Sequence, residues 1–441
     1  MNVLAIGGGA REHAICSALK KSKIKLFSVM KNLNPGIKRL SEDFFIHDEK
    51  DVEKVVEYAL KKNIELAIIG PEAPEEKGLT NALMEKEIKV ASPTKEAAEI
   101  ETSKEFMRHL MEKYDIKGSV KSKAFSDIEM AREFIEMLEG NVAVKPIGLT
   151  GGKGVKVAGY HFDSIEDAIK YAEEVINKGI GGRHRVLIEE KVVGEEFTLQ
   201  AFCDGKAIYP MPAVQDHKRL LPNDKGPNTG GMGSYSYHTG ILPFMTFDDY
   251  EIATNILQKI VDALRKEGRE YHGVIYGQFM LTVEGPKIIE VNARFGDPEA
   301  MNVLPLLKSD FVEICMGMAE GNLSNKYIDF EQKSTVCKYA VPEGYGIKPM
   351  EGVPIEVNED AIKKEGALLF YASINEKNGR IYTTKSRSLA VVGIADEIED
   401  AEKICENSLK HIKGKIFIRH DIGKKELIEK RIEHMKMLRG E

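Results

Sequence analysis

Two changes of pattern along the chain predict an α/β and α+β multidomain protein. From Asn2 to about Ser92, short apolar runs alternate with amphipathic helical segments, the signature of a parallel sheet covered on both faces. Beyond that point, helices mix with antiparallel hairpins, and after about Ser324 short strands dominate. The expected architecture is a Rossmann-like N-terminal domain (1–102), a central α+β domain (103–324) and a strand-rich C-terminal α+β domain (325–441).

Each element follows from local pattern. In the first domain the strands are Val3 to Ile6, Ile24 to Val29 and Leu66 to Ile69, with helices at Glu12 to Lys20 and Val52 to Leu60. Ser92-Pro93-Thr94 interrupts this rhythm, and Thr102-Ser103-Lys104 caps a helix from Glu105 to Lys113. Next come a helix near Asp127 to Glu139, a strand Val142 to Lys145, a glycine-rich turn and a strand Val155 to Ala158. A helix (Ile165 to Lys178) and a strand (Arg185 to Glu189) complete this stretch. Antiparallel strands turn at Asp204-Gly205, and a polar loop spans Asp216 to Gly233. The helix Asp248 to Lys266, a hairpin at Glu284-Gly285 and helices up to Ala319 close the central region. The last segment reads as strands with one helix, Ile398 to Ile412.

Composition narrows the function classes. With 63 basic and 70 acidic residues, a net charge of −7 provides no bulk attraction for nucleic acid or an anionic membrane. The five cysteines form no C-x-x-C pair and have no histidine at metal-ligand spacing, so neither a disulfide framework nor a zinc site is expected. No apolar run approaches membrane-spanning length, and no cationic leader precedes the first strand; a cytoplasmic enzyme of small molecules is the expectation.

Four motifs carry chemistry. Gly7-Gly8-Gly9-Ala10-Arg11-Glu12 links the first strand to the first helix, where backbone N–H groups favour an anion. A dinucleotide fingerprint wants glycine where Glu12 stands and an acid where the second strand ends at Lys31, so a substrate phosphate is the better ligand. The second loop runs from Lys145 through Gly148, Gly151, Gly152, Lys153 and Gly154. Its glycines let amides approach phosphates and its lysines neutralise them, although Gly154 after Lys153 excludes a Walker A loop. Leu187 to Phe197 forms an apolar hinge with carboxylates at Glu189, Glu190 and Glu196 around Val192, suited to a nucleoside. In Ile289-Glu290-Val291-Asn292-Ala293-Arg294, strand alternation puts Glu290, Asn292 and Arg294 on one face. A carboxylate and an amide oxygen suit Mg²⁺, and the arginine suits a phosphoryl group. Taken singly, each motif has a plain structural alternative: a tight turn, a β-hairpin, a solvated acidic turn and a polar edge strand.

In order along the chain, Thr102-Ser103-Lys104, Lys145, the loop to Gly154, the Glu189–Glu196 hinge and Glu290-x-Asn292-x-Arg294 resemble the ATP-grasp ligases. Within that superfamily the chain is similar nearly end to end to the glycinamide ribonucleotide synthetases. This similarity rests on Gly70-Pro71-Glu72-Ala73-Pro74, Gln215-Asp216-His217-Lys218-Arg219, Gly226 to Gly233, Arg294 to Glu299 and Arg419 to Gly423. It implies a two-lobed ATP-grasp central domain with a lid near 118–191, ATP and Mg²⁺ (or Mn²⁺) as cofactors, and glycine and 5-phosphoribosylamine as substrates in purine biosynthesis. It further implies Lys104, Lys145 and Arg294 as catalytic cations, and Glu290, Asn292 and Gln278 around the metal. Asp216 and Glu299 are assigned to the ammonium of glycine. Gly8, Gly9, Arg11, Lys218 and Arg219 are assigned to the ribosyl phosphate, with Asn228, Thr229, Gly230, Gly231, Asp297 and Pro298 shaping the substrate loops. Lys385-Ser386-Arg387 departs from the family's Gly-Gly-Arg and is left without a role. A carboxylase or a ligase of another amine would share Glu290, Asn292 and Arg294 without requiring the Asn228–Gly233 string.

Overall fold

The computed structural model describes residues 1–148 and 154–441. The N-terminal domain is a five-stranded parallel sheet, β3-β2-β1-β4-β5, built from β1 (Asn2–Ile6), β2 (Lys25–Met30), β3 (Asp43–Ile46), β4 (Leu66–Ile69) and β5 (Lys89–Val90). The edge strands β3 and β5 escape sequence reading because they are short, at four and two residues. Helices α1 (Ala10–Leu19), α2 (Pro35–Leu40), α3 (Val52–Lys61), α4 (Glu72–Glu76) and α5 (Leu79–Met84) flank the sheet. Nearly every residue of α1 is buried, because one side packs on its own sheet and another on the central domain.

After α6 (Glu99–Thr102) and α7 (Lys104–Lys113), the chain builds a small unit from β6 (Ser122–Phe125), α8 (Ile128–Met137), β7 (Val142–Pro146), β8 (Lys156–Val157), α9 (Ile165–Lys178) and β9 (Val186–Glu190). Its sheet, β6-β9-β7-β8, encloses a core of its own that includes Phe125, Ile135, Val144, Ile169 and Ile188.

The chain then forms β10 (Glu195–Asp204), β11 (Ile208–Pro210), β12 (Val214–Asp216), β13 (Arg219–Leu221), β14 (Lys225–Asn228), β15 (Gly233–Ser236), α10 (Phe247–Lys266), β16 (His272–Thr282), β17 (Gly285–Asn292), α11 (Ala300–Leu306) and α12 (Phe311–Glu320). The segment expected to be a polar loop contains the β13–β14 ribbon, disguised in sequence by Pro222, Gly226 and Pro227.

β18 (Ser334–Pro342) pairs with β15, so the main sheet runs without a break into the last segment: β17-β16-β10-β12-β15-β18-β23-β20. The remaining elements are β19 (Pro354–Val357), α13 (Glu359–Lys364), β20 (Leu368–Tyr371), β21 (Ile374–Lys377), β22 (Arg380–Thr383), β23 (Leu389–Ala395), α14 (Ile398–Leu409), β24 (Ile412–Gly414), β25 (Ile416–Ile418) and α15 (Lys425–Arg439). Two of these helices, α13 and α15, exceed the one expected. In α15, Arg431 and His434 interrupt the stripe of Leu427, Ile428, Ile432, Met435 and Leu438; both reach the buried Glu195. All five cysteines are buried and unpaired. No described helix is long and apolar enough to cross a membrane.

Candidate active site

The site is built on the β16–β17 hairpin. Register places Gln278 opposite Glu290 and Tyr276 opposite Asn292. Val291 and Ala293 face the core at 2% and 1% exposure, so Glu290, Asn292 and Arg294 share the other face. Contacts join them: Asn292 Nδ2 donates to Glu290 Oε1 at 3.5 Å, and Arg294 Nη2 donates to Asn292 Oδ1 at 3.2 Å. Burial would raise the Glu290 carboxyl, but Lys218, Lys104 and Lys145 bring it below its ordinary range. An ionised carboxylate beside an amide oxygen fits a divalent ion that completes its shell with phosphates. Among the described residues, no group of three or more acid, histidine or cysteine side chains could hold a metal without them.

Gln278 departs from the expected third ligand. It is fully buried, its Oε1 accepts from Tyr276 Oη at 2.6 Å, and its Nε2 donates to Glu196 Oε2 at 3.0 Å. Both ends of the amide are engaged. Arg294 likewise has partners that the sequence did not suggest: Glu101 Oε1 at 3.1 Å and Glu72 Oε2 at 3.6 Å. These carboxylates tether it to α6 and to the N-terminal domain.

The cations of the expected phosphate grip lie behind this face. Lys145 Nζ meets Glu189 Oε2 at 2.6 Å, and Arg108 Nε meets Glu189 Oε1 at 2.7 Å. Burial alone would raise the Glu189 carboxyl; Arg108 and Lys145 bring it down to about 2. Glu189 is therefore not a free hinge carboxylate facing a nucleoside, because its two oxygens already hold Lys145 and Arg108. Sequence reasoning passed over Arg108, whose signal is a charge inside the buried stripe of Met107, Leu110 and Met111. Lys104 begins α7 and donates to the Gly148 carbonyl at 3.2 Å. Glu190 accepts from the Lys121 N–H at 2.9 Å, and Val192 is half-buried at the hinge. Gly154 is buried, whereas Gly151, Gly152 and Lys153 lie outside the described residues.

Opposite the hairpin, a cluster of acids surrounds Lys218. Its ammonium lies 3.5 Å from Glu196 Oε2; burial would lower it, but Glu196, Asp216, Glu290 and Glu299 hold it charged. Asp216 Oδ1 is buried without a hydrogen-bond partner, and burial, with Glu196 and Glu290 nearby, raises its carboxyl. Burial and Asp216 raise Glu299 to about 7, even though its Oε1 accepts from Tyr276 Oη at 3.0 Å. Buried Glu299 beside half-buried Asp216, whose Oδ1 is an unmet buried acceptor, makes a receptor for a small cation.

The expected phosphate site differs most. The Gly9 N–H donates to Glu12 Oε2 at 2.7 Å, and Arg11 is occupied by Glu12 Oε1 at 2.6 Å and the Phe295 carbonyl at 3.1 Å. Glu12 lies so close to Gly70 that a Cβ there would stand 2.2 Å from its Oε1. Its carboxylate caps α1, and Gly8 and Gly9 are the half-exposed part of the loop. Arg219 also turns elsewhere, donating to the Gly226 carbonyl at 2.9 Å and lying 5.0 Å from the Tyr160 ring centre of the β6–β9 unit. Thr229 shapes its own loop: its N–H and Oγ1 both donate to the Lys218 carbonyl at 2.8 Å, and Oγ1 accepts from Gly231 N at 3.1 Å. Asn228 is half-buried at the end of β14. Asp297 and buried Pro298 lead into Glu299 at the start of α11.

Family profiles match this chain in three consecutive parts: phosphoribosylglycinamide synthetase N domain over residues 1–101, ATP-grasp (A) domain over 102–300 and C domain over 335–425. The phosphoribosylamine–glycine ligase of Methanothermobacter thermautotrophicus is 54% identical over 440 residues, covering 100% of both chains. That of Methanocaldococcus jannaschii is 54% identical over 444 residues, again covering 100% of both. The crystal structure of phosphoribosylamine–glycine ligase from Thermotoga maritima superposes with a TM-score of 0.81 at 28% identity, over 96% of this chain and 100% of that one. The biotin carboxylase domain of Hydrogenobacter thermophilus 2-oxoglutarate carboxylase, solved with MgADP, ADP and bicarbonate, shares the fold at 17% identity, with a TM-score of 0.72 over 100% of this chain and 95% of that one. Matches to all three family profiles, together with full-length relatives at this identity, establish that the chain belongs to the phosphoribosylglycinamide synthetase family.

Proposed function

We propose that this enzyme joins glycine to 5-phosphoribosylamine at the expense of ATP, giving glycinamide ribonucleotide, ADP and phosphate for purine biosynthesis. The observation that carries the reading is the Asp216–Glu299 pair, with the unmet acceptor at Asp216 Oδ1, set beside the Glu290–Asn292 face. A free α-ammonium needs such acceptors, and a phosphoanhydride needs the cations beside them.

Glycine's carboxylate is a poor acyl donor because oxide is a poor leaving group. It attacks the γ-phosphorus of ATP in line, the bond to the bridging oxygen breaks, and ADP leaves. Lys104, Lys145 and Arg294 offset the charge that spreads over the transferring group, and Glu189 and Arg108 keep Lys145 in place. A divalent ion held by Glu290 and Asn292 Oδ1 would supply positive charge between the phosphates. Asp216 and Glu299 grip the ammonium and so orient the carboxylate. The ribosylamine nitrogen then attacks the carbonyl of glycyl phosphate, phosphate departs, and the nitrogen gives up a proton to leave an amide. The β6–β9 unit serves as a lid that closes over two water-labile species.

ADP release measured against a panel of carboxylates and amines tests this. Stoichiometric release is expected with glycine and 5-phosphoribosylamine together; equal release with other amines would refute the named acceptor.

A further inference from the structure

The Lys385-Ser386-Arg387 segment, which the sequence left without a role, reaches the acceptor end of the site. Arg387 stands just before β23, with its side chain 13% exposed. Its Nη1 donates to the carbonyls of Gly230 at 2.6 Å, Gly231 at 3.1 Å and Asp297 at 3.1 Å. Its Nη2 meets Asp297 Oδ2 at 3.1 Å. The guanidinium lies 4.4 Å from the ring centre of Tyr339, whose hydroxyl donates to Asp297 Oδ1 at 2.6 Å. Three chain segments distant in sequence thus meet on one planar cation.

The two loops it joins also press on each other. Gly231 has φ +104°, and a Cβ there would lie 2.8 Å from Pro298 Cδ, so only glycine allows the approach. The segment from Phe295 to Glu299 is fixed at two more points. Arg11 Nη1 donates to the Phe295 carbonyl at 3.1 Å, and the Gly296 N–H donates to Gln200 Oε1 at 2.7 Å. Glu299 follows two residues after Asp297, so its aim depends on all three anchors, one from each domain. A Cβ built on Gly9 would lie 4.0 Å from Asp297 Oδ2, which sets this loop against the N-terminal glycine loop across a narrow gap.

We propose that Arg387 is a positioning residue for the acyl acceptor: by clamping Gly230-Gly231 to Asp297 it fixes, from the C-terminal domain, the two loops between which the amine substrate docks. A guanidinium suits this task because its planar fork addresses carbonyls on one edge and a carboxylate on another, whereas an ammonium is a point charge. The inference rests on the function proposed above.

Arg387→Lys and Tyr339→Phe, compared with wild type, provide the test, with ATP, glycine and 5-phosphoribosylamine varied in turn and thermal melts recorded in parallel. In Arg387→Lys the KM for phosphoribosylamine should rise about tenfold or more while the KM for ATP changes by less than about twofold. Tyr339→Phe, which removes a single hydrogen bond to Asp297, should raise the same parameter by a smaller factor. Lysine kinetics equal to wild type would overturn the proposal, as would equal increases in all three constants accompanied by loss of folded protein. Should Arg387→Lys fail to fold, an unchanged phosphoribosylamine KM in Tyr339→Phe overturns it alone. Amide exchange over Thr229–Gly233 should accelerate about tenfold in Arg387→Lys; unchanged exchange refutes the clamp. If wild type releases no ADP with glycine and phosphoribosylamine while exchange still accelerates, the functional reading fails and the clamp survives.

Discussion

Glycine binding should weaken as pH falls through 7. Burial, with Asp216 alongside, raises the Glu299 carboxyl from 4.5 to about 7, and burial raises Asp216 in the same direction. An ammonium pairs only with the ionised form, so the contact is available above pH 7 and is lost below it. For one such carboxyl the ionised fraction drops from about nine-tenths at pH 8 to about one-tenth at pH 6. The glycine dissociation constant should therefore rise about tenfold over that interval, in which glycine's own groups do not titrate. Calorimetric titration with a non-hydrolysable ATP analogue present, in buffers of different ionisation enthalpy, would also count protons released, approaching one per glycine below pH 7. Glu299→Gln should bind glycine weakly at pH 8 and lack the pH step. The reasoning is refuted by a wild-type constant that is flat from pH 6 to 8, or by a glutamine variant that keeps the step. The same carboxyl sets a sign for stability: its folded value lies above its unfolded one, so the ligand-free protein loses stability as pH rises from about 4.5 through 7. Full ionisation costs about 3 kcal/mol, which bound glycine should offset.

Glu290→Gln keeps the shape and removes the negative ligand, so turnover should fall about 100-fold or more with the melting midpoint little changed; near-normal turnover would remove Glu290 from the site. Lys145→Met should weaken ATP binding and also lower unfolding free energy by about 3 kcal/mol, because Glu189 loses one of its two buried partners; urea denaturation reads the second effect. Asp216→Asn should raise the glycine KM far more than the ATP KM in steady-state kinetics. Glu75 is buried and neither carboxylate oxygen has a hydrogen-bond partner among the described residues. Glu75→Leu should therefore raise stability by about 1–3 kcal/mol, visible as a higher urea midpoint.

Where a motif is local, its geometry was legible in the chain. Strand alternation is a property of neighbouring residues, so the shared face of Glu290, Asn292 and Arg294 followed from spacing alone. The same holds for the start of α7 at Lys104 and for the glycine loop between β1 and α1. The partners of those residues were not legible. Arg294 meets Glu72 and Glu101, and Lys145 meets Glu189, which also holds Arg108, through contacts that a single sequence does not encode locally. Tyr276 stood two residues from Gln278 on the same strand face, yet its importance came only from the packing that brings Glu299 to its hydroxyl.

By itself, the sequence determined the class of each element with strong periodicity, the parallel N-terminal sheet, and the strings that identify the family. Tertiary structure decided which polar groups remain free to meet a ligand. Glu12 could be read as a defect in a dinucleotide loop, but only packing showed that its carboxylate fills that loop and occupies the Gly9 amide. Lys218 and Arg219 are adjacent and look equivalent as phosphate ligands; the fold sends one into a ring of carboxylates and the other to the lid. The physical reason is common to all these cases. Periodicity and capping act over a few residues, whereas a buried charge must be satisfied by whatever the fold brings to it, and that supply is set by contacts between segments far apart in the chain.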